Sequence, residues 1–263
     1  MKQYGFTIIE LLTSLLLASL ISIVVYEIIT VAQKRYEIAQ AVAELNQKEI
    51  LIRDILEKTI DKAGVDDAKK LDEYPIATDF SGDIATNGII DINDEVLVIA
   101  YNSEHSIRCD GKDIEVNASV SQGWDVRLKY ADIFYIANDT TVNNIPSLYC
   151  RDPNNSGTYR GSLISAYVNA MDIRYTTIKA GGNVITVPLS DLLAINSANK
   201  KEIWNIFRVE INIVIATDSD DYQDTPNYVF NSFNKTLSYP SDGRYRRLLS
   251  FVFAPKGVFN ENG

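Results

Sequence analysis

The sequence predicts an α+β chain in which one long N-terminal helix, able to span a membrane in its first half, leads into a β-rich globular domain. Three observations carry this. Residues 6–26 form an almost unbroken apolar run. No glycine or proline interrupts residues 6–63. Beyond Gly64 the chain changes to short apolar runs separated by Gly, Pro, Asn and Asp.

The apolar run, FTIIELLTSLLLASLISIVVY, is long enough at about 1.5 Å per residue to cross a hydrocarbon core of about 30 Å. Only MKQYG precedes it, with a positive charge at Lys2, which holds that end in the cytoplasm and sends the rest outward. An ordinary secretory signal places a small-x-small cleavage site after its apolar stretch. Here the run passes straight into a helical pattern, so removal of the whole segment is disfavoured. The anomaly is Glu10, an ionisable group inside the span and therefore a candidate functional residue, although an acid near the edge of a run can also reach the headgroups.

One uninterrupted helix is expected from residue 6 to a C-cap at Gly64, close to 90 Å long at about 1.5 Å per residue. Past the span, Ile28, Val31, Ile38, Val42, Leu45, Ile52 and Leu56 recur at helical spacing, interrupted by Arg35 and Glu49. Gln33, Lys34, Glu37, Gln40, Glu44, Gln47 and Lys48 are expected on a solvated face. The organisation that follows is a leader at 1–5, a transmembrane half-helix at 6–26, an amphipathic half at 27–64 and an exported domain at 65–263. A coiled-coil stalk behind a membrane anchor is the alternative for the second segment.

Within the domain, strands are expected at 95–101, 126–130, 133–137, 166–175, 207–217 and 247–253. In 207–213, Phe207, Val209, Ile211 and Ile213 alternate with Arg208, Glu210 and Asn212, which predicts one buried and one wet face. Gly181 and Gly182 suit a hairpin turn before Val184. Fifteen tyrosines fit a half-buried sheet surface without any binding role.

Charge and cysteine content narrow the function. A formal charge of -10 repels phosphate, so no direct nucleic acid binding is expected. Cys109 and Cys150 lie in the exported part, where a disulfide between them would remove roughly 4 kcal/mol of unfolded-chain entropy; two separate buried thiols are the alternative. The single histidine, His105, sits in a loop-like segment without a nucleophile motif, and no phosphate loop, dinucleotide fingerprint or zinc spacing occurs. No enzymatic activity, catalytic residue or cofactor is expected. The acids Asp218, Asp220, Asp221 and Asp224 offer oxygen ligands to calcium but lack the EF-hand glycine and distal glutamate, so a solvated turn is favoured over a metal site.

Residues Gly5-Phe6-Thr7-Ile8-Ile9-Glu10 resemble the type III signal of type IV prepilins and secretion pseudopilins. The resemblance implies prepilin peptidase cleavage between Gly5 and Phe6, N-methylation of Phe6, and a role in assembly for Glu10 as fifth mature residue. An ammonium at Phe6 of one subunit and the Glu10 carboxylate of its neighbour would then neutralise each other in lipid. It also implies a pilin-like fold, with the second half of the helix packed on an antiparallel β-sheet and the first half in a filament bundle. Further along, RDILEKTIDKAGV, SLYCRD, AMDIRYTTI, IFRVEINIVIATDS and YRRLLSFVF look like the order of segments in PilW-type minor pilins, with type II secretion pseudopilin J a close relative. The terminal PKGVFNENG departs from the arginine-asparagine ending of that family.

The function so implied is that of a minor pilin that primes a type IV pilus and is incorporated at its tip. A J-like secretion pseudopilin and a membrane-tethered periplasmic binding domain are the alternatives. The partners are the prepilin peptidase, other minor pilins, a tip adhesin and the membrane. The location is the inner membrane, single-pass with a periplasmic domain, and then the cell-surface pilus.

Overall fold

A computed structural model describes residues 7–61, 96–101, 109, 130–139, 144–151, 161–179, 182–188, 203–233 and 235–254. The chain forms two compact units, Met1–Glu44 and Leu45–Gly263. Helix α1, Ile8–Ile60, begins in the first and ends in the second. The expected cap at Gly64 lies outside the described residues.

In the first unit, the absence of helix breakers lets α1 run without a kink residue. Its apolar side chains, among them Leu12, Leu16, Leu20, Ile23 and Ile28, are exposed. Its hydroxyls fold back on the helix: Thr13, Ser14, Ser19, Ser22 and Thr30 donate to the carbonyls of Glu10, Leu11, Leu16, Ala18 and Tyr26. Each internal bond satisfies a polar group that lipid could not, so the segment stays apolar towards its surroundings. By length and composition α1 can cross a membrane.

The second unit contains ten strands in three antiparallel sheets, counted among the described residues. Strands β1 (Val96–Tyr101), β2 (Tyr130–Asp139), β3 (Ile145–Arg151) and β4 (Ser162–Ala166) form the first, in that order. The second has the order β10-β7-β5-β6, with β5 at Val168–Lys179, β6 at Val184–Pro188, β7 at Ile203–Ala216 and β10 at Arg246–Phe253. A hairpin of β8 (Tyr228–Ser232) and β9 (Lys235–Tyr239) is the third. The α+β expectation is met.

One core holds this unit together. Leu45, Ile52, Leu56 and Ile60 from α1 pack with Leu97, Phe134, Ile136, Leu148 and Cys150 of the first sheet and with Ile173, Tyr175, Val209, Ile211, Ile213, Leu249 and Phe251 of the second. The spacing 45, 52, 56 and 60 is one helical face, and 209, 211, 213 and 215 is one face of β7. Fully burying each large aliphatic side chain contributes about 1.5–3 kcal/mol. The chain passes from first sheet to second at Tyr167, whose φ of 56° breaks what the sequence suggested was a single strand over 166–175. The Tyr167 carbonyl accepts from Ala216 N–H at 2.8 Å, closing that corner against β7.

The supposedly wet face of β7 is partly covered. Asn212 is buried, and its Nδ2 donates to Ser232 Oγ at 3.0 Å, which in turn donates to the buried Asp172 carboxylate at 2.7 Å. The β8–β9 hairpin therefore lies over the second sheet, where it makes the hydrogen bonds that a buried polar side chain needs. The hairpin expected before Val184 is present: β5 pairs with β6, and Gly182 takes a φ of 82°.

Candidate functional site

The N-terminal site begins with Thr7, the first residue the structure describes. Thr7 caps α1: its N–H and Oγ1 both donate to Glu10 Oε2, at 2.9 and 3.0 Å, and Glu10 N–H donates back to Thr7 Oγ1 at 3.4 Å. This reciprocal pair is a capping box, Thr-x-x-Glu, and it satisfies backbone donors that the first turn leaves open. The acid that looked anomalous in the sequence thus has a local role as well. Glu10 is exposed here, so nothing about its helix prevents a second donor from reaching the carboxylate. Gly5 and Phe6 lie outside the described residues, as does His105.

Cys109 and Cys150 are joined by a disulfide, with Cα atoms 6.2 Å apart across a separation of 41 residues. Cys150 is buried in β3, opposite Phe134 of β2, whereas Cys109 is partly exposed. Together with Asp132 they form the one group of three potential metal-ligating side chains among the described residues, and its two sulfurs are bonded to each other.

The acidic run is divided among separate partners. Asp218 Oδ1 pairs with Lys48 Nζ at 2.5 Å, Asp220 Oδ2 with Arg244 at 3.0 Å, and Asp221 Oδ2 accepts from Ser219 Oγ at 3.2 Å. Asp224 takes a φ of 57° in the turn. Asp218, Asp220 and Asp221 thus each have a different partner.

A cationic strut stands beside these acids. Lys48 is expected on the solvated face of the helix, yet its side chain is only 11% exposed. Its Nζ donates to the carbonyls of Ala216 at 2.7 Å and Ala166 at 3.4 Å, so one ammonium ties α1 to the ends of both large sheets. Arg244 donates to the carbonyls of Thr217 and Asp218, and both cations lie over the Tyr167 ring, at 5.2 Å for Lys48 and 4.4 Å for Arg244. On the edge strand β10, Arg247 donates to Asn46 at 2.7 Å and Glu49 at 3.2 Å, while Arg53 lies over Phe251. The signal for Lys48 was its spacing. It stands three residues after Leu45 and four before Ile52, on the buried stripe, and a long aliphatic stem lets lysine enter such a stripe.

At the far end of the hairpin, Asp242 accepts two bonds from the Arg246 guanidinium, at 2.7 and 2.5 Å, which hold its carboxyl below the usual carboxylate range. Burial pushes the Tyr239 hydroxyl up, against the opposing pull of the same Arg246.

No family model matches the sequence, and no curated protein matches it. Among solved structures, a type IV-like pilin from Thermus thermophilus aligns with 81% of this chain and 98% of that one, at a TM-score of 0.40 and 8% identity. At that level the likeness carries no functional weight.

Proposed function

We propose that this chain is a non-enzymatic assembly subunit of a type IV pilus, a minor pilin that primes the filament and rides at its tip after prepilin peptidase cleaves between Gly5 and Phe6. The observation that carries this reading is Glu10. It stands in the first turn of an apolar, exposed helix whose last turns are built into the core of a β domain. A carboxylate in that setting is poorly placed in lipid unless it meets a cation. The methylated ammonium of Phe6 on a neighbouring subunit is the cation that the leader motif supplies. The helix would hold the precursor in the inner membrane with its domain in the periplasm. Other minor pilins and a tip adhesin would then meet it through the helix and the sheet edges.

The buried strut supports the same reading. A subunit drawn out of the membrane by its helix needs that helix fixed to its domain, and Lys48, Arg247 and the apolar stripe do so at both sheets. Mass spectrometry of the protein from its native host tests the proposal. The expected mature N-terminus is N-methyl-Phe6, and an intact Met1 or a cut far past Phe6 would end it.

A further inference from the structure

The disulfide has a neighbour that the assembly reading does not use. Asp132 is a β2 residue on the same face as Phe134 and Ile136, so it points into the core, and it is fully buried. Its Oδ1 lies 3.1 Å from Cys109 Sγ and accepts from Cys109 N–H at 3.5 Å. The Asp132 oxygen and both sulfurs lie within 4.8 Å of one another. A disulfide sulfur has no proton to give. The structure holds the bonded pair, so the 3.1 Å approach is a contact that sets the carboxylate beside the sulfur whose proton must leave before the bond can form.

We infer that Asp132 is the proton relay that closes the Cys109–Cys150 bond, with Cys109 as the entry thiol. The co-reactant is an external disulfide, either a small-molecule disulfide or that of a dithiol oxidoreductase. Cys109, being partly exposed, is the sulfur an external disulfide can reach, and Cys150, buried in β3, is not. In the first step Asp132 takes the Cys109 proton as its sulfur attacks. A mixed disulfide forms, the external S–S bond breaks, and the departing thiolate receives the proton. In the second step Cys150 attacks Cys109 Sγ, the mixed disulfide breaks, and the Cys150 proton passes by the same carboxylate to the second leaving thiolate. One external disulfide is reduced to two thiols and the two cysteines are oxidised, with Asp132 returned to its starting form. Below its own pKa a thiol is a poor nucleophile, so an internal base that removes the proton during attack speeds the step.

The test uses the full chain in detergent, reduced and then exposed to oxidised glutathione, with trapped intermediates read by alkylation and mass spectrometry. The Cys150→Ser variant should accumulate a glutathione adduct at Cys109 at least about tenfold faster than Cys109→Ser accumulates one at Cys150; equal rates overturn the entry assignment. With circular dichroism unchanged, Asp132→Asn should close the bond at least about tenfold more slowly than wild type, and a wild-type rate overturns the relay. If Asp132→Asn does not fold, the wild-type pH profile decides. An internal base gives a nearly flat closing rate between the carboxyl and thiol ranges, whereas a rise of about tenfold per pH unit means that free thiolate carries the reaction and refutes the relay.

Discussion

Replacing Lys48 with methionine keeps a stem of similar length and removes the ammonium, which isolates what the strut contributes. The Ala216 carbonyl, in a fully buried residue, loses a charged donor at 2.7 Å, a bond of a kind that contributes about 1.5–3 kcal/mol. The Ala166 carbonyl at 3.4 Å adds little. Asp218 is 60% exposed, so its pairing with Lys48 contributes no more than about 1 kcal/mol. The expected loss is therefore about 2–3 kcal/mol for Lys48→Met and under about 1 kcal/mol for Asp218→Asn. Urea denaturation of the detergent-solubilised chain measures it. With a slope of about 2 kcal/mol/M, the Lys48→Met midpoint should fall by about 1–1.5 M at constant slope. If the two variants agree within about 0.5 kcal/mol, the carbonyl bonds are not what stabilises this junction, and the strut is only a surface ion pair.

Two further expectations follow from the capping box and from the hairpin end. Glutamine can replace glutamate in a capping box, so Glu10→Gln keeps the Thr7 contacts and loses only the charge, whereas Glu10→Ala loses both. If charge neutralisation drives docking, both variants should be cleaved normally and both should be missing from sheared filaments; Glu10→Gln incorporation equal to wild type would leave capping as the whole role of this residue. The folded Asp242 carboxyl lies below its unfolded value, so its contribution is present above about pH 4 and is lost as pH falls through the folded value. Tyr239 is raised, so its contribution is present below about pH 10 and is lost as pH rises through the folded value. Asp242→Asn should flatten the acid limb of a stability-versus-pH curve and Tyr239→Phe the alkaline limb, the two being linked through the Arg246 that faces both.

Much of the fold was legible because its periodicities are strong. The uninterrupted 6–63 segment contains the observed helix, and the expected strands at 95–101, 207–217 and 247–253 match β1, β7 and β10 closely. The short strands were harder. β3 opens with Ile145-Pro146, and a proline argues against a central strand on sequence alone, although here Pro146 pairs near the strand end with Asn138. β8 and β9 are five residues each, bracketed by Pro226 and Pro240, and their polar neighbours resemble loop composition. The site was legible in the same uneven way. Glu10 stood out because charge is rare in an apolar run, and the cysteines because there are two. Lys48 and Asp132 were hidden, since a lysine on a helix and an aspartate in a strand are ordinarily solvated, and only the third dimension shows each buried beside the groups it serves.

The corner at Tyr167 has a topological consequence. A single residue separates a strand that belongs to one layer from a strand that belongs to the other, and side chains along β5 alternate, with Met171, Ile173 and Tyr175 in the core and Asp172 and Arg174 opposite. The corner, together with the bulge that shifts the pairing between Val168 and Ala170, therefore sets the parity of the Ala170–Thr176 stretch of that strand. One amino acid gained or lost there would turn an acid and an arginine inward and a methionine, an isoleucine and a tyrosine outward, exchanging inside for outside over the widest strand pairing in the domain.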